Sequence, residues 1–251
     1  MTKKFQSNID RKVALITGAS SGIGLEIAKL FLSEGYIVLP CARRIDLLNK
    51  LFNNDEFAFP FYIDLNKIND IPSILSKIIS AHGPIDILVN NAAFLTSGKV
   101  EDISIDDWVK SYAVNITSIF VCTKILLPEM KKRNFGRIIN VSSGGSVNCA
   151  PNYSPYSSSK AAINAFTKSL GNELTGSNVK VNVMSPGPCK TSMFPDNPLE
   201  PKIGAPTALM LASSDENLPN GKFFWMEKEI DIFPDLSHIN WADPSSSKLI
   251  D

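Results

Sequence analysis

The feature that most constrains this chain is Thr17-Gly18-Ala19-Ser20-Ser21-Gly22-Ile23-Gly24, which follows an apolar run at 13–17 and opens a segment of helical spacing. Glycines at 18, 22 and 24 allow a tight turn and let the backbone approach a pyrophosphate. The N–H groups at the helix start, from Ser20 and Ser21 through Ile23, then face its negative charge. A glycine-rich turn alone can be just a turn. Its position between the first strand and first helix of an alternating chain makes it a phosphate cradle.

That alternation runs through most of the 251 residues. Val- and Ile-rich runs at 13–17, 37–41, 58–63, 85–90, 137–142 and 180–185 read as strands, with a weaker seventh near 222–226. Helical periodicity covers about 23–33, 71–80, 105–133, 155–174 and 205–212. Several strand runs are apolar without alternation, as expected when both sheet faces are covered. The expected fold is α/β: one domain over 1–251, a Rossmann-type doubly wound parallel sheet of about seven strands with helices on both faces. Pro60 falls inside the third run. Proline is tolerated mainly at a sheet edge, and strand order 3-2-1-4-5-6 puts the third strand there.

Composition narrows the partners. Lys+Arg and Asp+Glu both number 25, so no basic field invites nucleic acid. No apolar run is read as approaching the roughly 18–20 residues that span a membrane, and residues 1–10 lack the apolar core of a signal peptide. Cys41, Cys122, Cys149 and Cys189 are widely spaced, which suits reduced thiols in the cytoplasm. His82 and His238 are too far apart to suggest a metal site.

The second strand ends at Cys41-Ala42-Arg43-Arg44. An acidic residue at this strand end would hold a ribose 2′-hydroxyl, as in NAD enzymes; here Ala42 stands in that place, followed by Arg43. A guanidinium pairs with a 2′-phosphate where a carboxylate repels it, so NADP(H) is favoured over NAD(H). Arg43 carries this reading; Arg44 is read equally well as a solvated charge at a helix start.

Tyr156 and Lys160 are four apart on an expected helix and share a face. Such a pair arises often by chance, and its neighbours give it weight. Val141-Ser142-Ser143 ends a strand, placing a hydroxyl at the carboxyl edge of the sheet where ligands bind in open α/β folds. Asn115 interrupts an apolar helix, so its amide requires polar partners.

With these residues the chain resembles a short-chain dehydrogenase/reductase over about residues 12–191. The resemblance rests on the loop at 17–24, Asp64-Leu65, Asn90-Asn91-Ala92-Ala93, Asn115, Ser143, Tyr156, Lys160 and Pro186-Gly187. It implies that Asp64 and Leu65 meet the adenine, that Asn91, Ala92, Pro186 and Gly187 border the cofactor, and that Thr191 contacts the nicotinamide amide. It also implies an active enzyme exchanging hydride with a small carbonyl or alcohol, and a homo-oligomer, dimer or tetramer. Tyr156 would protonate the developing alkoxide and Lys160 would lower the tyrosine's pKa while binding the ribose. Ser143 would hydrogen-bond the substrate oxygen, and Asn115 would hold a water connecting Lys160 to solvent.

The match departs from the family in places. Ala93 replaces the usual glycine and narrows the space beside the cofactor. Only residues 192–204 separate Thr191 from the next helix, where the family inserts a substrate loop. The tail at 235–251, with Leu236, Ile239 and Trp241, matches nothing and is read either as disordered or as a cover for the cleft, which Met193 and Phe194 would help to form. Two alternatives stand beside a general carbonyl reductase. One is a reductase of 3-oxoacyl thioesters on a carrier protein, with Lys131, Lys132 and Arg133 as docking charge. The other is a catalytically silent cofactor sensor, against which the intact Tyr and Lys count.

Overall fold

Strand β1 (Val13–Thr17) is buried along its whole length. That suits a strand with neighbours on both sides and helices above and below. In the computed structural model, which describes residues 11–234, β1 is an inner strand of one eight-stranded sheet. The other main elements follow in order: α1 (Gly22–Ser33), β2 (Ile37–Ala42), α2 (Ile45–Leu51), β3 (Phe61–Tyr62), α3 (Ile71–His82), β4 (Ile87–Asn90), α4 (Ile105–Tyr112), α5 (Ser118–Lys132), β5 (Gly136–Val141), α6 (Gly145–Asn148), α7 (Ser154–Glu173), β6 (Val179–Ser185), α8 (Ala205–Leu211), β7 (Phe223–Trp225) and β8 (Lys228–Ile230).

The strand order is β3-β2-β1-β4-β5-β6-β7-β8. Pairing is parallel from β3 through β7, and β8 closes the edge antiparallel to β7. Alternate residues of β1 feed two cores. Ala14 and Ile16 pack with Ile27, Phe31 and Leu211 on one face, and Val13 and Leu15 pack with Leu75, Leu126 and Val181 on the other. The chain reverses direction across the sheet between β1 and β4, which opens a crevice at their carboxyl ends.

Several expectations are corrected or extended. The sheet agrees with the expected count of about seven strands and carries an eighth, because Met226 and Glu227 (φ 48° and 66°) turn the chain back into β8. Both residues take the left-handed conformation a two-residue hairpin requires, without the usual glycine or asparagine. A 2.8 Å Lys222–Glu229 ion pair spans the hairpin. Helices α2 and α6 were not expected. Strand β3 is the edge, as foreseen, but only two residues long, with an isolated bridge from Val38 to Ala58. Pro40 explains the gap. Val38 exchanges both its backbone bonds with Phe57 and Phe59, so Pro40, two residues on, faces the same neighbour with no N–H to offer. The missing N–H of Pro60 points off the sheet edge.

The helix expected at 105–133 is interrupted by a π-helical turn over Ala113–Thr117, centred on Asn115. By length and composition the 28-residue run Ile105–Lys132 is apolar enough to cross a membrane, which corrects the expectation that none approaches that length. Here Cys122, Leu126 and Met130 of this run are buried in the second core. All four cysteines are free thiols. The tail at 235–251 lies outside the described residues.

Arg137 in β5 is fully buried and uses all five of its N–H donors. They reach the carbonyls of Ser213, Gly136, Asn178 and Asp215 and the Asn178 side chain, at 2.6–3.2 Å. One side chain thus ties the loops before β6 and after α8 to the central strand. Arg137→Met should lower unfolding free energy by about 2–4 kcal/mol, since several buried acceptors lose their partner. Urea melts should show a lower midpoint with the same slope; an unchanged midpoint would show that water satisfies those carbonyls.

Candidate active site

The carboxyl ends of β1, β2, β4, β5 and β6 open onto a cleft of about 1150 Å³. Its walls hold Gly18, Ser20, Ser21, Gly22, Ile23, Arg43, Arg44, Asp64, Leu65, Asn91, Ala92, Ser143, Tyr156, Lys160, Pro186, Gly187 and Thr191. Every residue expected from the sequence to act in catalysis or hold the cofactor is therefore there except Gly24 and Asn115, which stand one layer behind.

Gly18 and Gly22 have φ of 69° and 57°, so each takes the left-handed conformation that glycine alone adopts freely. A Cβ on Gly22 would come within 3.2 Å of the Thr191 methyl, so glycine lets the loop and the far wall approach closely here. Gly24 is glycine for another reason: a Cβ there would collide with the Asn91 amide. That amide is already spent, donating to the Thr17 carbonyl at 2.9 Å and approaching that of Gly18. Thr17 in turn accepts from the N–H groups of Asn91 and Ala92. Asn91 thus shapes the cradle from behind. Ala93 lies in the cleft wall beside it.

Arg44 is not simply solvated, which corrects one sequence reading. Its guanidinium donates to the Ser20 hydroxyl at 2.8 Å and the Ser21 hydroxyl at 2.7 Å. The two serines of the cradle thereby hold a cation at its rim. Arg43 lines the same rim with no hydrogen-bond partner among the described residues. Two guanidiniums, a turn of free N–H groups and a carboxylate farther along the rim (Asp64) are a donor set that fits a dinucleotide carrying phosphate charge.

At the other end, Pro155 lies in the first turn of α7 and Tyr156 and Lys160 stack one turn apart, both buried. The Lys160 ammonium donates to the Val141 carbonyl at 2.7 Å and lies 5.7 Å from the Tyr156 ring centre. Burial pushes the Lys160 pKa down to about 7. Burial also raises the Tyr156 pKa, and the neighbouring Ser143 hydroxyl only partly opposes it. The sequence reading had Lys160 lowering the tyrosine; in the cleft as it stands, desolvation is the larger effect. Ser143 accepts from the Gly145 N–H at 3.1 Å, leaving its own proton to donate.

Asn115 is completely buried. Its amide oxygen accepts from the Phe94 N–H at 2.7 Å, and its nitrogen donates to the Phe94 carbonyl and the Ser159 hydroxyl, both at 2.9 Å. Both amide hydrogens are therefore committed to protein. The side chain fixes the loop after β4 against α7, next to Lys160, and has no donor left for a water.

The short segment after Thr191 does reach the cleft. Phe194 lies 6.0 Å from Tyr156 in an edge-on arrangement and 6.2 Å from Tyr153. The Cys189–Leu199 bridge closes the base of this loop. The sequence reading missed Phe94, Tyr153 and Trp225 as cleft residues. Tyr153, three before Tyr156, had a visible signal; Trp225 depends on β7 lying beside β6.

The family model for short chain dehydrogenases matches residues 12–201. A protein of Streptomyces coelicolor provisionally named a ketoacyl reductase is 36% identical over 190 residues, 73% of each chain. Among solved structures, an actinorhodin polyketide ketoreductase with NADPH superposes with a TM-score of 0.82 at 28% identity, over 88% of this chain and 97% of that one. A 3-ketoacyl-(acyl-carrier-protein) reductase from Brucella melitensis complexed with NADH gives 0.80 at 26% identity, over 87% and 97%. With an eight-stranded sheet of this order and a cradle-to-tyrosine cleft already in place, these likenesses have one meaning: the chain belongs to the short-chain dehydrogenase/reductase family and is an NAD(P)-dependent oxidoreductase acting on carbonyl and alcohol groups.

Proposed function

We propose that this enzyme reduces a ketone or aldehyde with NADPH, Tyr156 supplying the proton. One observation carries the reading: a buried tyrosine, a hydroxyl and a buried lysine meet at one end of a cleft whose other end is a phosphate cradle rimmed by two arginines. The nicotinamide supplies the hydride when bound. Tyr156 holds its proton where the carbonyl oxygen gains charge, and Ser143 donates a second hydrogen bond to that oxygen. Burial keeps the Tyr156 phenol protonated, so the proton that reduction needs is in place, while the same shift makes the phenol a weaker acid that needs a charged neighbour or bound cofactor to release it. Lys160 holds its ammonium below both, and Phe194 helps keep water from the reacting carbon. Following NADPH consumption across ketones, aldehydes and 3-oxoacyl thioesters tests this; consumption with none of them would overturn it.

A 3-oxoacyl thioester on a carrier protein is the second reading, favoured by the ketoacyl names of the relatives. The docking charge expected at Lys131, Lys132 and Arg133 does not support it. These residues end α5 just before β5 begins, at the amino edge of the sheet, opposite the cleft, and Arg133 is paired with Asp86.

The preference for NADPH rests on Arg43 and Arg44. NADPH should bind roughly 5- to 150-fold more tightly than NADH, the range of one charge-assisted pair worth about 1–3 kcal/mol. Arg43→Ala should remove most of that ratio. Arg44→Ala should weaken both cofactors, because it also releases Ser20 and Ser21. Equal dissociation constants for the two cofactors in the wild type would sink the preference. We also read residues 1–251 as one domain of a cytoplasmic homo-oligomer. Ile105, Val109 and Phe120 form exposed apolar surface on α4 and α5 suited to a second copy. Sedimentation as a monomer at micromolar concentration would argue against that pairing.

A further inference from the structure

We propose that Lys110 is a specificity-determining residue that selects carbonyl substrates carrying an anionic group, carboxylate or phosphate, at the end remote from the carbonyl. The proposal rests on the reading of the cleft as a carbonyl-reduction site and names the substrate class that site prefers.

Five charged side chains line the cleft. Arg43, Arg44 and Asp64 belong to the β2–β3 rim, and Lys160 is committed beneath Tyr156. Lys110, in the last turn of α4, is the fifth and has no assigned task. Its ammonium forms no ion pair and no hydrogen bond among the described residues. A surface lysine here had an obvious alternative. Asp106 sits one turn earlier on the same helix, in the i to i+4 arrangement and polarity that favours pairing, and Asp107 sits at i−3. The ammonium lies instead 4.3 Å over the ring of Phe94, which itself lines the cleft. An aromatic face attracts a cation without neutralising it, so the charge stays available to a ligand.

The platform beneath that charge is built into the catalytic frame. Phe94 is held through both its N–H and its carbonyl by Asn115, and Asn115 is bonded to Ser159, the residue before Lys160. Lys110 therefore keeps a defined position relative to the Tyr156–Lys160 pair. Tyr153, Phe194 and Trp225 add further aromatic surface to the cleft lining, and its single carboxylate, Asp64, belongs to the β2–β3 rim. A flat, apolar carbonyl compound with a terminal anion satisfies both the rings and the lysine.

The test uses matched aryl ketones: para-acetylbenzoate, its neutral methyl ester, and para-acetylphenyl phosphate. Wild type saturated with NADPH should favour one or both anions over the ester by roughly tenfold or more in kcat/KM, the size of one charge-assisted hydrogen bond. Lys110→Gln should bring the anions down to the level of the ester, and Lys110→Arg should restore the preference, which a purely structural role would not do. Which anion leads tells carboxylate from phosphate. Calorimetric binding of the same three compounds to the NADP⁺-loaded protein separates this proposal from the function beneath it. If nothing turns over but an anion still binds more tightly and Lys110→Gln abolishes that difference, the reduction reading fails and the anion site stands. If wild type does not distinguish anions from ester in either assay, or Lys110→Gln keeps the distinction, the proposal is wrong.

Discussion

Tyr156→Phe should lower kcat by at least about a hundredfold while leaving NADPH affinity near that of wild type. The substitution deletes one hydroxyl and keeps the ring, so the contacts with Phe194 and the packing of α7 survive. What is lost is the proposed proton donor in the cleft wall beside Ser143, and general acid catalysis is worth roughly 10²–10⁴-fold. Ser143 can still hydrogen-bond the substrate oxygen but is too weak an acid to replace a phenol. Parallel measurement of kcat and of the NADPH dissociation constant checks both halves. A variant keeping more than about a tenth of wild-type kcat would remove Tyr156 from the proton step.

Lys160→Met should abolish turnover and raise the melting temperature of the cofactor-free protein. Lys160 is 2% exposed, and its ammonium has one carbonyl partner and no carboxylate among the described residues. Its pKa falls from 10.5 to about 7 on folding. Between those values the folded state binds fewer protons than the unfolded state, so wild-type stability rises with pH across the window. Below about 7 the full cost of burying the cation is present. Methionine fills similar space without charge, and the gain should be on the order of 1–4 kcal/mol, or roughly 2–16 °C for a chain of this size. The gain should shrink as pH rises from slightly acidic to alkaline. A variant that melts lower at every pH would show that the bond to the Val141 carbonyl stabilises more than burial costs. A residue that costs stability and is required for turnover is what a functional site, rather than a structural pair, predicts.

The parts legible in the sequence are those encoded by neighbouring residues. Five-residue apolar runs, the glycine cradle and the Tyr156–Lys160 spacing each identify themselves locally, and the parallel order follows from their alternation. The parts that were not legible depend on partners distant in sequence. Lys228-Glu229-Ile230 is exposed throughout and becomes a strand only because β7 lies beside it. The break at Asn115 is invisible in an apolar helical pattern, because what pulls the turn out of register is the Phe94 backbone 21 residues earlier. Arg44 and the two cradle serines are more than 20 residues apart, so nothing local shows that they bond. The raised tyrosine pKa requires knowing how deeply α7 is buried, and residue type and spacing do not carry that.

The proposed reaction delivers hydride from the nicotinamide to a carbonyl carbon whose oxygen lies between Tyr156 and Ser143. Its most direct test is turnover of the best ketone or aldehyde with NADPH deuterated at the transferring C4 position, followed by mass spectrometry of the alcohol. One deuterium is expected on the carbinol carbon of each product molecule from the wild type, and next to no product from Tyr156→Phe. An alcohol lacking the label, or NADPH that binds without ever passing its deuterium to any carbonyl, would contradict it.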